Sequence, residues 1–420
     1  MTGGVRHVIY LAAHGGFAGQ PVPLGGGAAV ANLLAAEWER TRPFSFEVIG
    51  PSVLGPGAPS ARELIAFRER EYAEFCVRFS EAATAHVLRH DPHQTAVLVN
   101  DVAEGPDFAR LAAAGFRIVT LYHVDVVAYI ADIYLRGWIG APALARAWEL
   151  LRKAAAPIAP RILRLIFEQQ RNSLLHSARV VAPSRGVRGL LAASYPSIPA
   201  SRLETLNWGA PDSEPFPGAR AALEREYGLP PDAKVLVCLS RLSPEKGHPL
   251  LLKSLLEAER AGRLPQPLSL FICGEAAFMQ GARYAARLRE LASRFRKVRV
   301  VFPGYAAGKR KRMFLEAADL YVFPSRHESY GLTLTEALAA GAPAIALDHA
   351  GARDILTPGC GIVIPREPRA GLARRLSDAI TELLADPERR ARMSAAAREW
   401  AARRPFGESA ARLAHLLQAV

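Results

Sequence analysis

Short apolar runs, each closed by a Gly-rich or polar turn and followed by an amphipathic stretch, repeat along almost the whole 420-residue chain. In the first half the runs are HVIYLAAH (7–14), FSFEVIG (44–50), TAVLVND (95–101), FRIVTLYH (116–123) and RVVAPS (179–184). In the second half they are KVLVCLS (234–240), LSLFICG (268–274), RVVFPG (299–304), LYVFPS (320–325), PAIAL (343–347) and GIVIP (361–365). β-Branched runs that are polar only at their ends fit strands covered on both faces, and the helical-length segments between them supply the cover. The pattern therefore predicts two doubly wound, Rossmann-like α/β domains, which would face each other across a cleft.

Pro and Gly cluster in WGAPDSEPFPGARAALEREYGLPPDA (208–233), where no strand pattern runs. This is linker composition. The expected organisation is an N-terminal domain over 1–208, a linker over 209–233, a C-terminal domain over 234–404, and a last helix over 405–420 that packs back on the N-terminal domain. Residues 134–176 read as a basic, purely helical excursion, open to two readings: a solvated amphipathic pair or a membrane-docking surface.

Composition narrows the partners. The chain carries 53 Lys and Arg against 40 Asp and Glu, a net charge of +13. Such a balance favours nucleotide phosphates, nucleic acid or an anionic membrane. No Cys/His finger or aromatic RNP-like strand is present, which argues against nucleic acid. An Ala- and Arg-rich composition accounts for part of the charge. No apolar run reaches the ~18–20 residues of a spanning helix, and VIYLAA lacks a basic flank and a cleavage site. A cytoplasmic protein is expected, with peripheral contact at the inner membrane surface left open. Cys76, Cys238, Cys273 and Cys360 lack CxxC spacing and read as buried small hydrophobes.

The chemistry concentrates in turns that follow predicted strands, where open α/β sheets bind ligands. PVPLGGGAAVANLLAAEW (21–38) places Gly25, Gly26 and Gly27 at a helix start, where backbone can approach an anion closely. In SRLSPEKG (240–247), Arg241 and Lys246 leave a strand end just before a helix beginning near His248, a pair of cations suited to a diphosphate. PSRHESYGLTLTEALAAG (324–341) follows another strand and contains a helix over Thr333–Ala340 stopped by Gly341. Glu328 lies in the loop and Glu336 on the first turns of that helix, and ionised carboxylates accept hydrogen bonds from sugar or ribose hydroxyls. The backbone N–H groups of Ser329, Tyr330, Gly331 and Leu332, at the helix start, suit phosphate.

These loops, together with AGARDIL (350–356), resemble in order and spacing those of the retaining nucleotide-sugar glycosyltransferases of family 4, which have the GT-B fold. The resemblance covers essentially the whole chain, and its most specific element is Glu-x7-Glu around Gly331 after a strand ending Pro-Ser. APS (182–184), FICGE (271–275, with Gly274) and FPGY (302–305, with Tyr305) are further landmarks. The resemblance implies that Arg241 and Lys246 bind the donor diphosphate, that Glu328 holds hydroxyls of the transferred sugar, and that Glu336 holds the ribose. It also implies that Gly26 and its neighbours close over the donor and that His123 lies by the transferred sugar and acceptor. Two turns depart from the family pattern: NWGAPD (207–212) stands for the commoner NGVD, and AGARDIL for a glycine pair followed by Pro-Glu.

No Asp-x-Asp triplet occurs, and Arg241, Lys246 and helix N–H groups can neutralise a diphosphate themselves, so a metal-independent reaction without a cofactor is expected. The implied retaining outcome is front-face attack, with the leaving phosphate helping to deprotonate the acceptor hydroxyl. UDP is the favoured donor nucleotide, ahead of GDP and ADP. A GT-B epimerase or phosphorylase is the competing enzyme class, but no pyridoxal lysine or proton-abstracting acidic set is visible. A non-catalytic nucleotide-sugar-binding homologue is the third reading, and the intact Arg241, Lys246, Glu328 and Glu336 set argues against it.

Overall fold

A computed structural model describes residues 5–15, 25–135, 137–276 and 281–420. The start of the expected glycine loop, residues 21–24, lies outside the described residues. The chain divides into two compact units: the first is Met1–Trp208 with Gly407–Val420, the second Gly209–Phe406. The eleven apolar runs all become strands, joined by one more short strand.

In the first unit these are β1 (His7–Leu11), β2 (Ser45–Ile49), β3 (Thr95–Val99), β4 (Arg117–Leu121), β5 (Arg179–Ala182) and β6 (Leu203–Thr205). They form one parallel sheet in the order β2-β1-β3-β4-β5-β6. The three-residue β6, LET, is too short and too polar to be read as a strand from sequence. The TAVLV of β3 is wholly buried, as a central parallel strand must be. Ile9, Val97 and Ile118 of the sheet pack with Phe75, Phe79 and Leu111 of the covering helices. Trp38 anchors the opposite side, edge-on to Phe44 and Phe46, and donates its indole N–H to the Ala410 carbonyl at 3.1 Å. That bond brings the last helix, Phe406–Gln418, onto the first unit through its residues from Gly407 onward.

The second unit holds β7 (Lys234–Leu239), β8 (Leu268–Cys273), β9 (Val298–Val301), β10 (Leu320–Phe323), β11 (Ala344–Leu347) and β12 (Gly361–Ile364). Their parallel order is β12-β11-β10-β7-β8-β9. The stretch 209–233, expected as a linker, carries the helix Ala219–Tyr227 and groups with this unit. Its Arg220 bonds the Ala317 carbonyl at 3.0 Å and Asp319 at 3.1 Å. All four cysteines are free and buried.

Each sheet reverses its winding once, between β1 and β3 in the first unit and between β7 and β10 in the second. The loops leaving these neighbouring strands at their carboxyl ends diverge and leave a crevice there. Among the described residues, no helix is long and apolar enough to cross a membrane.

Candidate active site

In the second unit the loops after β7 and β10 are locked together by backbone. Gly247 has φ +70°, and a Cβ there would lie 1.9 Å from the Pro324 carbonyl oxygen, so only glycine permits the approach. The Arg326 N–H donates to the Glu245 carbonyl at 2.7 Å. The Glu245 side chain is buried, accepts from Ser243 Oγ at 2.5 Å and sits 3.6 Å from the Arg241 guanidinium. It pairs with the guanidinium head of that arginine, whose side chain remains partly exposed. Gly274, ending β8, closes the floor, because a Cβ at this position would meet the Ser240 carbonyl at 1.9 Å.

Lys246 Nζ lies 2.5 Å from Glu328 Oε2, the two side chains being mostly enclosed. Desolvation pushes the Glu328 carboxyl up, but Lys246, with His349 and His327 behind it, holds it below the usual range. Glu328 is thus an ionised acceptor. Gly331, with φ +112°, then turns the chain into the helix Leu332–Ala339. Tyr321 ties the helix start to β7, its hydroxyl lying 2.9 Å from Thr333 Oγ1 and 3.2 Å from the Leu239 carbonyl. Ser329 and Tyr330 are buried in the loop just before.

Glu336 bonds Lys311 Nζ through Oε1 at 2.5 Å, while its buried Oε2 has no protein partner. Tyr305 lies beside it: burial raises the phenol, and Glu336 and Glu275 raise it further. Glu275 Oε1 accepts from the Tyr305 N–H at 3.4 Å. Arg241, Lys246, Gly274, Tyr305, Glu328, Ser329, Tyr330, Gly331, Leu332 and Glu336 therefore share one end of the second sheet.

Three residues here were not singled out by sequence. Glu245 reads in SPEKG as an exposed turn residue, and Lys311 as one of many basic residues on Gly308–Ala317. His349 follows β11 and accepts the Ala352 N–H on Nδ1 at 3.1 Å, which leaves its proton on Nε2. That Nε2 is buried and has no partner. Burial pushes His349 down to about 4 despite Glu328, with Lys246 adding to the depression, so it is a neutral donor held ready at the site.

Gly25, Gly26, Gly27 and His123 belong to the first unit and gather at its own reversal point. Gly25 opens the helix Gly26–Thr41 with φ +106°. The Gly27 carbonyl accepts from Asn100 Nδ2 at 3.3 Å, and a Cβ at Gly27 would lie 3.3 Å from His123 Cδ2 and 3.4 Å from Asp101 Oδ1. Asn100 Oδ1 accepts from Tyr10 at 2.6 Å and from His123 Nε2 at 2.9 Å. Burial pushes His123 down to about 4 against the pull of Asp101, so the imidazole is neutral. Around it, His14 lies 3.6 Å from Asp101 and 3.8 Å from Glu104, and Tyr72 donates to Glu104. Desolvation drives the Glu104 carboxyl up. The polar ends of HVIYLAAH and TAVLVND were the available signal for His14, Asn100 and Asp101, since apolar strands seldom end so without a ligand or a network to satisfy.

The second unit can therefore present two cations and helix amides to phosphates, and carboxylates to hydroxyls, at one crevice. Residues 219–400 match the family described as Glycosyl transferases group 1. The D-inositol 3-phosphate glycosyltransferase of Thermobispora bispora is 32% identical over 226 residues, covering 52% of this chain and 50% of that one. The GDP-mannose-dependent alpha-(1-6)-phosphatidylinositol monomannoside mannosyltransferase of Mycolicibacterium smegmatis is 33% identical over 229 residues, 52% of this chain and 56% of that one. The chain thus matches about half the length of these curated relatives. Among solved structures, sucrose-phosphate synthase from Thermosynechococcus elongatus superposes with a TM-score of 0.72 at 18% identity, covering 98% of each chain. Residues 219–400 of the second unit are thus a Glycosyl transferases group 1 domain, and the two parallel six-stranded units have the GT-B fold.

Proposed function

We propose that this protein transfers a hexosyl group from a nucleoside diphosphate sugar to an acceptor hydroxyl with retention at the anomeric carbon and without a metal on the diphosphate. The observation that carries the reading is the convergence of Arg241, Lys246, Glu328 and Glu336 at one end of the second sheet, with both lysine–glutamate pairs closed at 2.5 Å. Arg241 and Lys246 stabilise the charge that grows on the diphosphate. Glu328 and the Nε2–H of His349 hold sugar hydroxyls, and Glu336 holds the ribose through its unpartnered oxygen. The bond from the anomeric carbon to the phosphate oxygen breaks and one to the acceptor oxygen forms on the same face. The acceptor proton passes to the leaving phosphate, giving a nucleoside diphosphate and a glycoside. The neutral, half-buried His123 beside Asp101 orients the acceptor side.

For the donor, the dependence on GDP-mannose in the name of the mycobacterial relative favours that nucleotide sugar over the UDP-sugar expected from sequence. For the acceptor, the phosphatidylinositol monomannoside in the same relative's name favours a lipid-borne hydroxyl. The exposed large hydrophobic residues among the described ones fall between Val124 and Leu175, with Trp138, Leu150 and Ile158 more than four-fifths exposed. Arg146, Arg152, Lys153, Arg161 and Arg164 lie among them, and a cavity of about 410 Å³ opens there between Arg146, Arg171, Leu150 and Tyr195. An apolar and basic surface of this kind suits an anionic bilayer.

The test is a thermal-shift and hydrolysis panel of GDP-mannose against UDP- and ADP-sugars in excess chelator, with the anomeric configuration of product read by proton coupling in NMR. GDP-mannose is expected to stabilise the protein and turn over without metal. A panel in which no nucleotide sugar binds, or in which Glu328→Gln and Glu336→Ala leave turnover unchanged, overturns the reading.

A further inference from the structure

We propose that the amino-terminal end of the first sheet carries a transition-metal site of the zinc class, built from His7, Glu47 and His90 with His86 as fourth ligand. The ligating atoms of His7, Glu47 and His90 all lie within 4.8 Å of one another. One carboxylate oxygen, Glu47 Oε1, is approached by His7 Nε2 at 3.5 Å, His90 Nε2 at 3.3 Å and His86 Nε2 at 3.1 Å. A tetrahedral ion with ligands at about 2.0–2.1 Å has ligand-to-ligand edges of about 3.3 Å, close to the three approaches to Glu47 Oε1, so His7, Glu47 and His90 can close on a cation, with His86 turning in from the helix end as the fourth ligand. Imidazole with one carboxylate is a donor set suited to Zn²⁺, and to Co²⁺ as its spectroscopic substitute.

The hydrogen bonds behind the cluster point the same way. The Ser45 hydroxyl donates to the Arg6 carbonyl at 2.9 Å, since a carbonyl can only accept. Its lone pair therefore faces His7 Nδ1 at 2.9 Å, which places the His7 proton on Nδ1 and the free lone pair on Nε2. That lone pair points at the Glu47 carboxylate, an arrangement of two acceptors that only a cation or an added proton between them relieves. A ligating histidine whose other nitrogen donates to a fixed oxygen is the usual arrangement at metal centres.

The local structure explains why these four meet. His7 is the first residue of β1, paired in register with Ser45 of β2, and Glu47 lies two residues further along that edge strand. His86 sits in the last turn of the helix Glu69–Val87, and the turn continues through His90, whose N–H bonds the Val87 carbonyl at 3.0 Å. The spacing i, i+4 puts both imidazoles on one face, their centroids 5.4 Å apart. A bound ion would clamp the edge strand β2, the central strand β1 and the helix end at one point. The cluster lies at the opposite end of the strands from His14, Asn100 and His123, so its role is structural rather than part of the transfer chemistry.

The full-length chain, stripped with a chelator, would be titrated with Zn²⁺ in competition with a chromophoric chelator and separately with Co²⁺. One equivalent is expected, with a tetrahedral Co²⁺ d–d band and a higher thermal midpoint that excess chelator reverses. His90→Asn and Glu47→Gln should weaken the affinity by about 100-fold or more, and Ser45→Ala, which removes only the orienting bond, by about 10-fold. All three should keep the circular dichroism and nucleotide-sugar affinity of the parent, which separates this site from the transferase site. Absence of one-equivalent binding, or wild-type affinity in both His90→Asn and Glu47→Gln, overturns the proposal.

Discussion

The two units place polar clusters at the reversal points of similar sheet orders and satisfy them in different ways. In the second unit each key carboxylate has its own lysine, Lys246 for Glu328 and Lys311 for Glu336, so charge is paired before any ligand arrives. In the cluster of the first unit burial wins at two groups, keeping His123 neutral and driving Glu104 toward its protonated form, while only Asp101 is held down, against its own burial, by His14. A site meant for a diphosphate keeps its charges ionised by pairing them, because the ligand must exchange with a partner rather than with water. A site meant for a neutral hydroxyl does better with groups whose charge has been suppressed. The contrast makes each half separately breakable.

The largest effect should come from acid. His248 is fully buried, bonds Ser240 Oγ at 3.0 Å, and is pushed down to about 3 by burial, with Lys246 adding to it. His349 is pushed down to about 4. The unfolded chain takes up protons on these imidazoles near pH 6.5, whereas the folded one refuses them until about pH 4 or below. The unfolded state therefore binds more protons in that window, and stability falls as pH drops through it. Each tenfold difference in proton affinity between the two states is worth about 1.4 kcal/mol, so the two histidines together remove roughly 6 kcal/mol from the second unit by pH 4. In the first unit His123 and the more exposed His90 are depressed as well, but Glu104, whose raised value makes its protonation favour the fold, offsets them. Calorimetry between pH 7 and 4 should show the second unit melting first. Coincident transitions at every pH would break the comparison.

Next in size is Lys246→Ala, which leaves Glu328 without its cation and, on the proposed function, the diphosphate without a point charge. A loss of about 10²- to 10³-fold in kcat/KM is expected, on the scale of removing one preorganised electrostatic contact. Gly247→Ala should cost about 3 kcal/mol or more in urea unfolding, because its methyl meets the Pro324 carbonyl at 1.9 Å. Gly218→Ala is the control: its φ of +71° is similar, but a Cβ there meets nothing within 4 Å, so about 1 kcal/mol of backbone strain is expected. Equal losses at the two glycines would show that close backbone approach does not hold the loops of β7 and β10 together. The smallest pair sharpens the contrast by type of kinetic effect. Glu336→Ala should raise the donor KM by about tenfold, the value of one lost hydrogen-bonded group. His123→Asn should lower kcat by a similar factor with little change in donor affinity.

Much of this was legible in the chain before folding. Buried parallel strands are written as continuous apolar runs, so eleven of twelve strands could be read directly, and the exception, Leu203–Thr205, is too short to carry a pattern. The helix Ala219–Tyr227 was hidden by the prolines and glycines flanking it, although ARAALEREY has helical propensity throughout. Of the site, the loops with unusual chemistry stood out, because RLSPEKG and HESYGL follow strand ends. Glu245, Lys311 and His349 did not, since their importance lies in what they touch. Glu245 becomes an anchor only when the next loop donates the Arg326 N–H to it, and His349 becomes a free donor only because Ala352 occupies its other nitrogen. The His7, Glu47, His86 and His90 cluster joins residues far apart in sequence, and sheet register together with a helix end brings them into contact.

The first unit is discontinuous, with Gly407–Val420 completing a body that begins at the other end of the chain and Ala410 receiving the Trp38 indole. During translation this reverses the familiar order in which the leading domain matures first. At about 5–20 residues per second, the roughly 200 residues of the second unit delay delivery of that last helix by about 10–40 s after Trp208 is made. Through that interval Trp38 and the face around it wait on the ribosome uncovered, which marks them as the surface a chaperone would meet first.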